Sequence, residues 1–357
     1  MRLSSLLRET LRDITSGTTR FTLFGLLLGG LICGLVFADS TLILQQVTAA
    51  HTFRNAGGAT LVLSAPGQVD GQACEDLNHT SGVSAAGALR ESTRKVTISA
   101  LPDAPVPEYE VTLDFPQLLT NSTTLEAGVV LSDEVADALG VSAGGAIATD
   151  IGSLPIAGTF AYPADGRRPG FGYAVLSPTA SRLTFDECWL ASWPPITNGR
   201  ALLFTTLLPG SIDPENRPTV TQLNTSLGTA FAGSTAYDSR VTRNATPVAF
   251  LLAGLIGYIA VRARRLQLAS ALHSGLARRD LILLQLCQTS SWALISTVIG
   301  TGTAVTMTLA LSGGDAIPIF LTTAGIALAG FSGALIGAIL AAICVTEKHL
   351  FRYFKDR

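Results

Sequence analysis

Four long runs without a single charged residue constrain this chain more than anything else in it: Phe21–Ala38, Asn244–Val261, Leu281–Gly314 and Ala316–Thr346. A helix that crosses a bilayer needs about 20 apolar residues, with a lower limit near 17. The first two runs are just long enough and the last two exceed the requirement. A mean hydropathy of +0.42 and a charged content of only 14% agree, being too apolar for an ordinary soluble protein. Four spans are expected, at 20–38, 244–261, 281–311 and 317–346. Between the first two lie about 205 residues of mixed polarity, 39–243, room for one or two extramembrane subdomains.

The arginines orient the chain. Residues 1–20, 262–280 and 347–357 hold 13 Lys and Arg against 5 Asp and Glu, whereas the remainder holds 11 against 21. The positive-inside rule then puts both termini and the loop 262–280 in the cytoplasm, with the large domain and the short connection 312–316 outside. The overall charge of −2 averages two opposed faces and identifies no partner.

That topology also sorts the five cysteines. Cys33, Cys287 and Cys344 fall in the spans, while Cys74 and Cys188 share the external side, where a disulfide forms and persists. A bridge between them is expected, the alternative being two independent buried thiols.

Leu3, Leu6, Leu7, Leu11 and Ile14 share one helical face of residues 1–19, with Arg8 and Arg12 toward the other, the pattern of a helix lying in the membrane surface. The first run is read as a retained span. Val36-Phe37-Ala38 also suits a signal peptidase, but the run is longer than an ordinary leader core. Inside it, Gly25, Gly29, Gly30 and Gly34 form two overlapping Gly-xxx-Gly pairs, read either as a dimer seam or as packing within the subunit. Gly333 and Gly337 repeat the spacing in the last span.

The segment 39–243 alternates strand-like and helix-like pieces. Strands are expected at Ala59–Ser64, Val83–Leu89, Lys95–Ser99, Tyr109–Leu113, Val129–Leu131, Ala146–Thr149, Leu154–Phe160 and Ala201–Leu207. Helices are expected at Asp70–Asn78, after a Ser132 cap up to Gly140, and at Val220–Phe231. The fold class is therefore an α-helical membrane protein with four spans and a large extracytoplasmic α+β domain.

Chemistry is sparse. A phosphate-binding P-loop needs Gly-x-x-x-x-Gly-Lys, and none of the three lysines, Lys95, Lys348 and Lys355, follows a glycine. His51, His79, His273 and His349 are scattered, with no metal-ligand spacing and no nucleophile context. No catalytic residue and no metal site are expected. Asn78, Asn121, Asn224 and Asn244 open glycosylation triplets, which matter only in a glycosylating host. The spans hold Gln285 and Gln288 but no charge, which argues against a hydrophilic channel through one subunit.

Most informative is the basic stretch Val261–Leu281, which carries Arg264 and Arg265, a glycine at 275, and then Arg278 and Arg279. With the opening Leu6-Leu7-Arg8-Glu9-Thr10-Leu11-Arg12 and the run Val129–Gly140, it resembles the permease subunits of the MacB/FtsX/LolC class (type VII, FtsX-like permeases) of ABC transporters. In that pattern the stretch is a coupling helix that docks on an ATPase. The resemblance implies ATPase-coupling roles for Arg264, Arg265, Gln267, Gly275, Arg278 and Arg279. Gln267 and Gln288 stand where the family usually has Glu.

It also implies no cofactor in this chain, ATP and Mg being held by a cytoplasmic ATPase subunit. The expected partners are that ATPase, a second permease subunit and the membrane, with no nucleic acid. Stalk-like extensions are expected near Thr41–Arg54 and Ala236–Arg243. The alternative is a membrane-anchored sensor or scaffold without an ATPase, including regulation of cell-wall hydrolases.

Overall fold

The computed structural model describes residues 8, 12–13, 20–98, 101–120, 127–149, 152–210, 216–312 and 316–346. The chain divides into a helical unit, Met1–Thr48 with Ala232–Arg357, and an α+β unit, Ala49–Phe231. The expected surface helix at 1–19 lies outside the described residues, apart from Arg8, Arg12 and Asp13.

Among the described residues, four helices are long and apolar enough to cross a membrane. They belong to α1 (Phe21–Asn55), α6 (Ala245–Arg262), α8 (Arg278–Ser312) and α9 (Ala316–Cys344). A charge-free run in lipid must satisfy its backbone internally, and the helix does so. Helix α1 has 35 residues, about 52 Å at 1.5 Å per residue. It therefore outruns the first apolar run and takes in Thr41–Arg54 without a break. Phe24, Leu28, Ile32 and Val36, each one turn apart, form its buried face.

Small residues set how these helices meet. A methyl group on Gly337 would lie 1.9 Å from the Gly254 carbonyl oxygen, and one on Gly257 would lie 2.1 Å from that of Ala334. The backbones of α6 and α9 are therefore in direct contact, which only glycine permits. Helix α1 meets α8 in the same way: a methyl on Gly300 would come within 2.6 Å of the Gly29 carbonyl, and one on Gly25 within 3.0 Å of the Ser296 hydroxyl. Gly25 and Gly29 thus pack within the subunit, whereas Gly30 and Gly34 face open space.

The described residues of the α+β unit carry nine strands in the order β3-β7-β4-β6-β5-β2-β8-β1-β9. In chain order they are β1 (Thr60–Asp70), β2 (Val83–Ile98), β3 (Leu101–Val111), β4 (Val129–Ser132), β5 (Ala146–Thr149), β6 (Gly152–Phe160), β7 (Val175–Pro178), β8 (Thr184–Ser192) and β9 (Thr219–Gln222). Strand β3 also pairs with β2, so six strands close on themselves and β8, β1 and β9 extend from β2. Val83–Leu89 and Lys95–Ser99, expected as separate strands, belong mostly to β2, whose register shifts between Glu91 and Lys95.

Short helices cover this sheet. The Asp70 carboxylate accepts from the amides of Gln72 and Ala73 and caps α2 (Gly71–Asp76). A disulfide joins Cys74 of α2 to Cys188 of β8, both fully buried. Helix α3 (Asp133–Leu139) ends at Gly140, whose φ of +64° suits glycine. Ser132 stands at its N-cap, but its hydroxyl accepts from the Ala174 amide at 3.1 Å instead of capping.

Two expectations are corrected. Ala201–Leu207 is not a strand: α4 (Gly199–Phe204) buries Gly199 and Leu203, one turn apart. The hydroxyls of Thr205 and Thr206 then close its last carbonyls, donating to Leu202 and Leu203 at 2.6 and 2.7 Å. Val220–Phe231 is not a helix: Thr219–Gln222 completes the open edge of β1, with Ser64 opposite Thr219 and Leu61 opposite Gln222. The helix α5 (Gly233–Asp238) is short and follows it.

Candidate functional site

The basic loop is a formed element and not a tether. Helix α7 (Arg265–His273) follows α6 after a two-residue turn and buries Leu268 and Ala269. These pack with Val261, Leu281 and the Ala338, Ala341 and Ala342 face of α9. At its end the Gly275 amide donates to the Leu272 carbonyl and the Leu276 amide to that of Ala271, both at 3.1 Å. This is the paired bonding that closes a helix through a left-handed residue, and Gly275 has φ +96°. The break between the two basic pairs is therefore a specific turn, after which α8 starts at Arg278.

Within the loop Arg264 is fully engaged. Its guanidinium donates to Gln267 Oε1 at 3.1 Å, Gln288 Oε1 at 2.7 Å and Asp13 Oδ2 at 2.9 Å. Gln288 Nε2 donates to the same Asp13 oxygen at 2.7 Å, and Gln285 Nε2 donates to Gln288 Oε1 at 3.0 Å. The side chains of Arg264 and Asp13 are 13% and 21% exposed. A guanidinium fork holding three acceptors fixes direction as well as charge.

This geometry explains an amide at position 288. The side chain must accept from Arg264 and Gln285 at one atom and donate to Asp13 at the other. An amide does both, whereas an ionised carboxylate only accepts and would face the Asp13 oxygen with like charge. Gln267 is exposed, so nothing comparable restricts it.

The six residues expected to couple thus separate. Arg264 and Gln267 belong to this internal network, Gly275 shapes the turn, and Arg265 is partly buried. Arg278 and Arg279 are exposed at the start of α8. Sequence reasoning missed Asp13, one of two acids in the basic segment 1–20, and the pairing role of Gln285.

A second polar cluster, also missed, joins α1 to the run-in of α6. Arg240 Nε donates to Asp39 Oδ1 at 3.1 Å, and the Thr242 hydroxyl donates to the same oxygen. Arg240 also lies 3.8 Å from the centroid of the Tyr237 ring.

The α+β unit has its own charged cluster. Arg168 holds Glu187 through two bonds, 2.7 and 2.8 Å, beneath the rings of Phe171 and Trp189. The Trp189 indole donates to Glu187 at 2.9 Å, and the Tyr162 hydroxyl donates to the Arg168 carbonyl at 2.6 Å. Burial disfavours the phenolate and pushes Tyr162 up to about 12. Hydrogen bonds from Arg167 hold Asp165 below its ordinary value. Glu187 is the buried member of this cluster, whereas Asp165 is exposed and the Arg168 side chain is 40% exposed.

Among the described residues no cluster of His, Cys, Asp and Glu could hold a metal. His51, His79 and His273 are exposed. The Asn78 amide is spent on Glu75, Ala86 and Asp114, and that of Asn224 on the carbonyls of Ala56 and Asp165. Asn121 lies outside the described residues, and Asn244 is exposed.

No family model matches the chain, and no curated protein matches it. Among solved structures, 49% of the chain is similar to the periplasmic region of MacB from Actinobacillus actinomycetemcomitans, covering 94% of that structure, at 9% identity and a TM-score of 0.36. A further likeness covers 40% of the chain and 88% of the extracellular domain of the noncanonic ABC-type transporter YknZ from Gram-positive bacteria, at 8% identity and a TM-score of 0.29.

Proposed function

We propose that this chain is the permease subunit of an ABC transporter, driven by a separate cytoplasmic ATPase that binds ATP and Mg. The observation that carries the reading is the basic loop. It is a helix and turn packed on α9, followed by an exposed Arg278–Arg279 pair. A loop that served only to fix topology by charge would need neither the Gly275 turn nor the packed underside. The chain's own lack of a P-loop makes a partner necessary for any ATP-driven role.

On this reading both termini and α7 are cytoplasmic, and the α+β unit is extracytoplasmic. Arg278 and Arg279 meet the ATPase, and Arg264 acts within the loop. Through Asp13, Gln267 and Gln288, Arg264 holds α7 in a fixed direction relative to α6 and α8. The motion that follows ATP binding enters at α7 and leaves through α6 and α1. A second permease subunit completes the assembly, and the motion serves export, extraction or signalling to an external partner. The spans lack charge, which favours transmitted motion or a lipophilic cargo over an aqueous path.

The test is co-purification with an ATPase encoded beside this chain. Wild type should retain the ATPase through detergent extraction, and the double variant R278E/R279E should lose it while remaining folded. An intact complex with both arginines reversed would overturn the docking assignment, and absence of any ATPase partner would overturn the reading itself.

A further inference from the structure

Among the described residues, Val241 is the most exposed of the large apolar side chains, at 93%. Tyr237, four residues earlier, is 39% exposed. An isolated apolar side chain on a surface needs no explanation, but the place of this one does. Val241–Asn244 forms a single 3-10 turn that runs directly into α6. At 1.5 Å per residue the 18 residues of α6 cover about 27 Å, short of a hydrocarbon core of about 30 Å. The turn adds about 8 Å, at roughly 2.0 Å per residue. With Arg262 at the inner edge of the core, Val241 falls about 35 Å away, in the headgroup layer beyond the outer edge.

The apolar surface continues from there. Val248, Leu252, Leu255 and Ile259 recur at steps of three and four along α6, and all are exposed. Val241 precedes this stripe by seven residues.

Two arginines flank Val241, and they differ. Arg240 is spent on Asp39 and on the ring and carbonyl of Tyr237. Arg243 is exposed, and among the described residues its guanidinium makes one hydrogen bond, to the Asp238 carbonyl at 3.3 Å. A guanidinium carries five donors in a fork that suits a phosphate. An apolar side chain, a half-exposed tyrosine and a largely unengaged arginine beside the end of a span are the residue types that hold a segment in the interfacial layer.

We infer that Tyr237–Asn244 is a lipid-binding surface: Val241 enters the headgroup layer of the outer leaflet, and Arg243 takes the phosphate of an anionic phospholipid. Lipid is the occupant because the length of α6 puts Val241 at that depth and because turn and span are one continuous stretch of chain. Held in this way, the turn fixes how deep α6 sits. The inference rests on the topology of the permease reading and on no ATPase.

The test is EPR on the full chain in nanodiscs. Cys33, Cys287 and Cys344 are replaced by Ser, and a spin label is placed at Val241→Cys or, separately, at Leu255→Cys. Collision with oxygen, which prefers hydrocarbon, and with a water-soluble nickel chelate gives the depth of each label. The label at 255 should lie within the core, and that at 241 about 5 Å beyond its outer edge, the difference between the two lengths above. A label at 241 as accessible to the chelate as one in bulk water would overturn the anchor. So would spin–spin broadening between labels at 241, which would put a second copy of the chain on this face. A label at 255 in water would overturn the spanning arrangement and the anchor with it, whereas loss of the ATPase complex alone would leave both standing.

A second arm titrates the detergent-solubilised chain, labelled at 241, with phosphatidylglycerol. Arg243→Gln should raise the half-saturating lipid concentration about fivefold, the factor for one arginine at an anionic surface. Arg243→Lys should keep it near wild type, and inorganic phosphate should leave the spectrum unchanged. An equal response to inorganic phosphate, or no effect of Arg243→Gln, would overturn the lipid assignment.

Discussion

The two units solve the problem of cohesion in opposite ways. The α+β unit is tied by a covalent link, a sheet closed on itself and an ion pair walled by rings. Each of these resists sliding in every direction. The helical unit has backbone-to-backbone seams of Gly and Ala, with polar clusters on α1 and around Arg264. Seams without interlocking side chains resist separation more than they resist small shifts along the axis, while polar clusters admit a few discrete arrangements.

Removing the disulfide is the strongest way to break that contrast. Cys74 and Cys188 are 114 residues apart, and closing a loop of that order contributes up to about 4.7 kcal/mol on the chain-entropy model. The variant C74S/C188S should therefore lower the unfolding midpoint of the α+β signal in a denaturant titration. The helical signal should stay where it was; a joint shift of both would mean that the units do not unfold separately.

The next effect belongs to the seam. Gly337→Val drives a branched side chain into the Gly254 carbonyl and should destabilise the helical unit by about 3 kcal/mol or more, as severe overpacking does. Thermal melting in detergent would read it. Gly34→Val is the paired control, since a side chain there meets open space. Its melting point should stay within about 1 °C of wild type, given the small effect of substitutions that touch nothing. A loss of dimer on size exclusion, with melting unchanged, would place the second subunit on that face.

The smallest effect is a pH dependence confined to the α+β unit. Tyr162 is held protonated up to about 12, against an ordinary value of 10.0. Below the ordinary value both states keep the proton and stability is unaffected. As pH rises from about 10 to 12 the unfolded chain binds fewer protons than the native one, so stability falls across that window. Asp165 has the opposite sign: its lowered value stabilises above the ordinary carboxylate range and is lost as pH falls through it. Alkaline melts of wild type and Tyr162→Phe should differ in slope only above about pH 10.

The four long apolar helices were legible in the sequence because a charge-free run of that length suits a helix that can cross a membrane. The Gly275 turn was legible because glycine between helical stretches has a defined use. The misreadings have equally local causes. Val220, Leu223, Leu227 and Phe231 recur at helical spacing, yet the open edge of β1 recruited Thr219–Gln222 as a strand. Ala201–Leu207 is a short apolar run that fits either element, since Phe204, Thr205 and Thr206 suit strands while Ala201, Leu202 and Leu203 suit helices, and burial of Gly199 and Leu203 on one face selected a helix.

The Arg264 network was not legible at all. Asp13 and Gln288 touch across 275 residues of sequence, and no spacing rule connects them. Nor does any rule connect Asp39 with Arg240, which are 201 residues apart.

The contact between Asp13 and Gln288 has a further consequence, for how such sequences can diverge. With aspartate at 13, position 288 must donate a hydrogen bond, so an amide fits and an acid does not. An acid at 288 becomes compatible once residue 13 gives up its charge. In chains that share this geometry, Asp with Gln and Asn with Glu both satisfy the two positions whereas Asp with Glu does not, and a drift at one end of the gene would restrict what the other end can become.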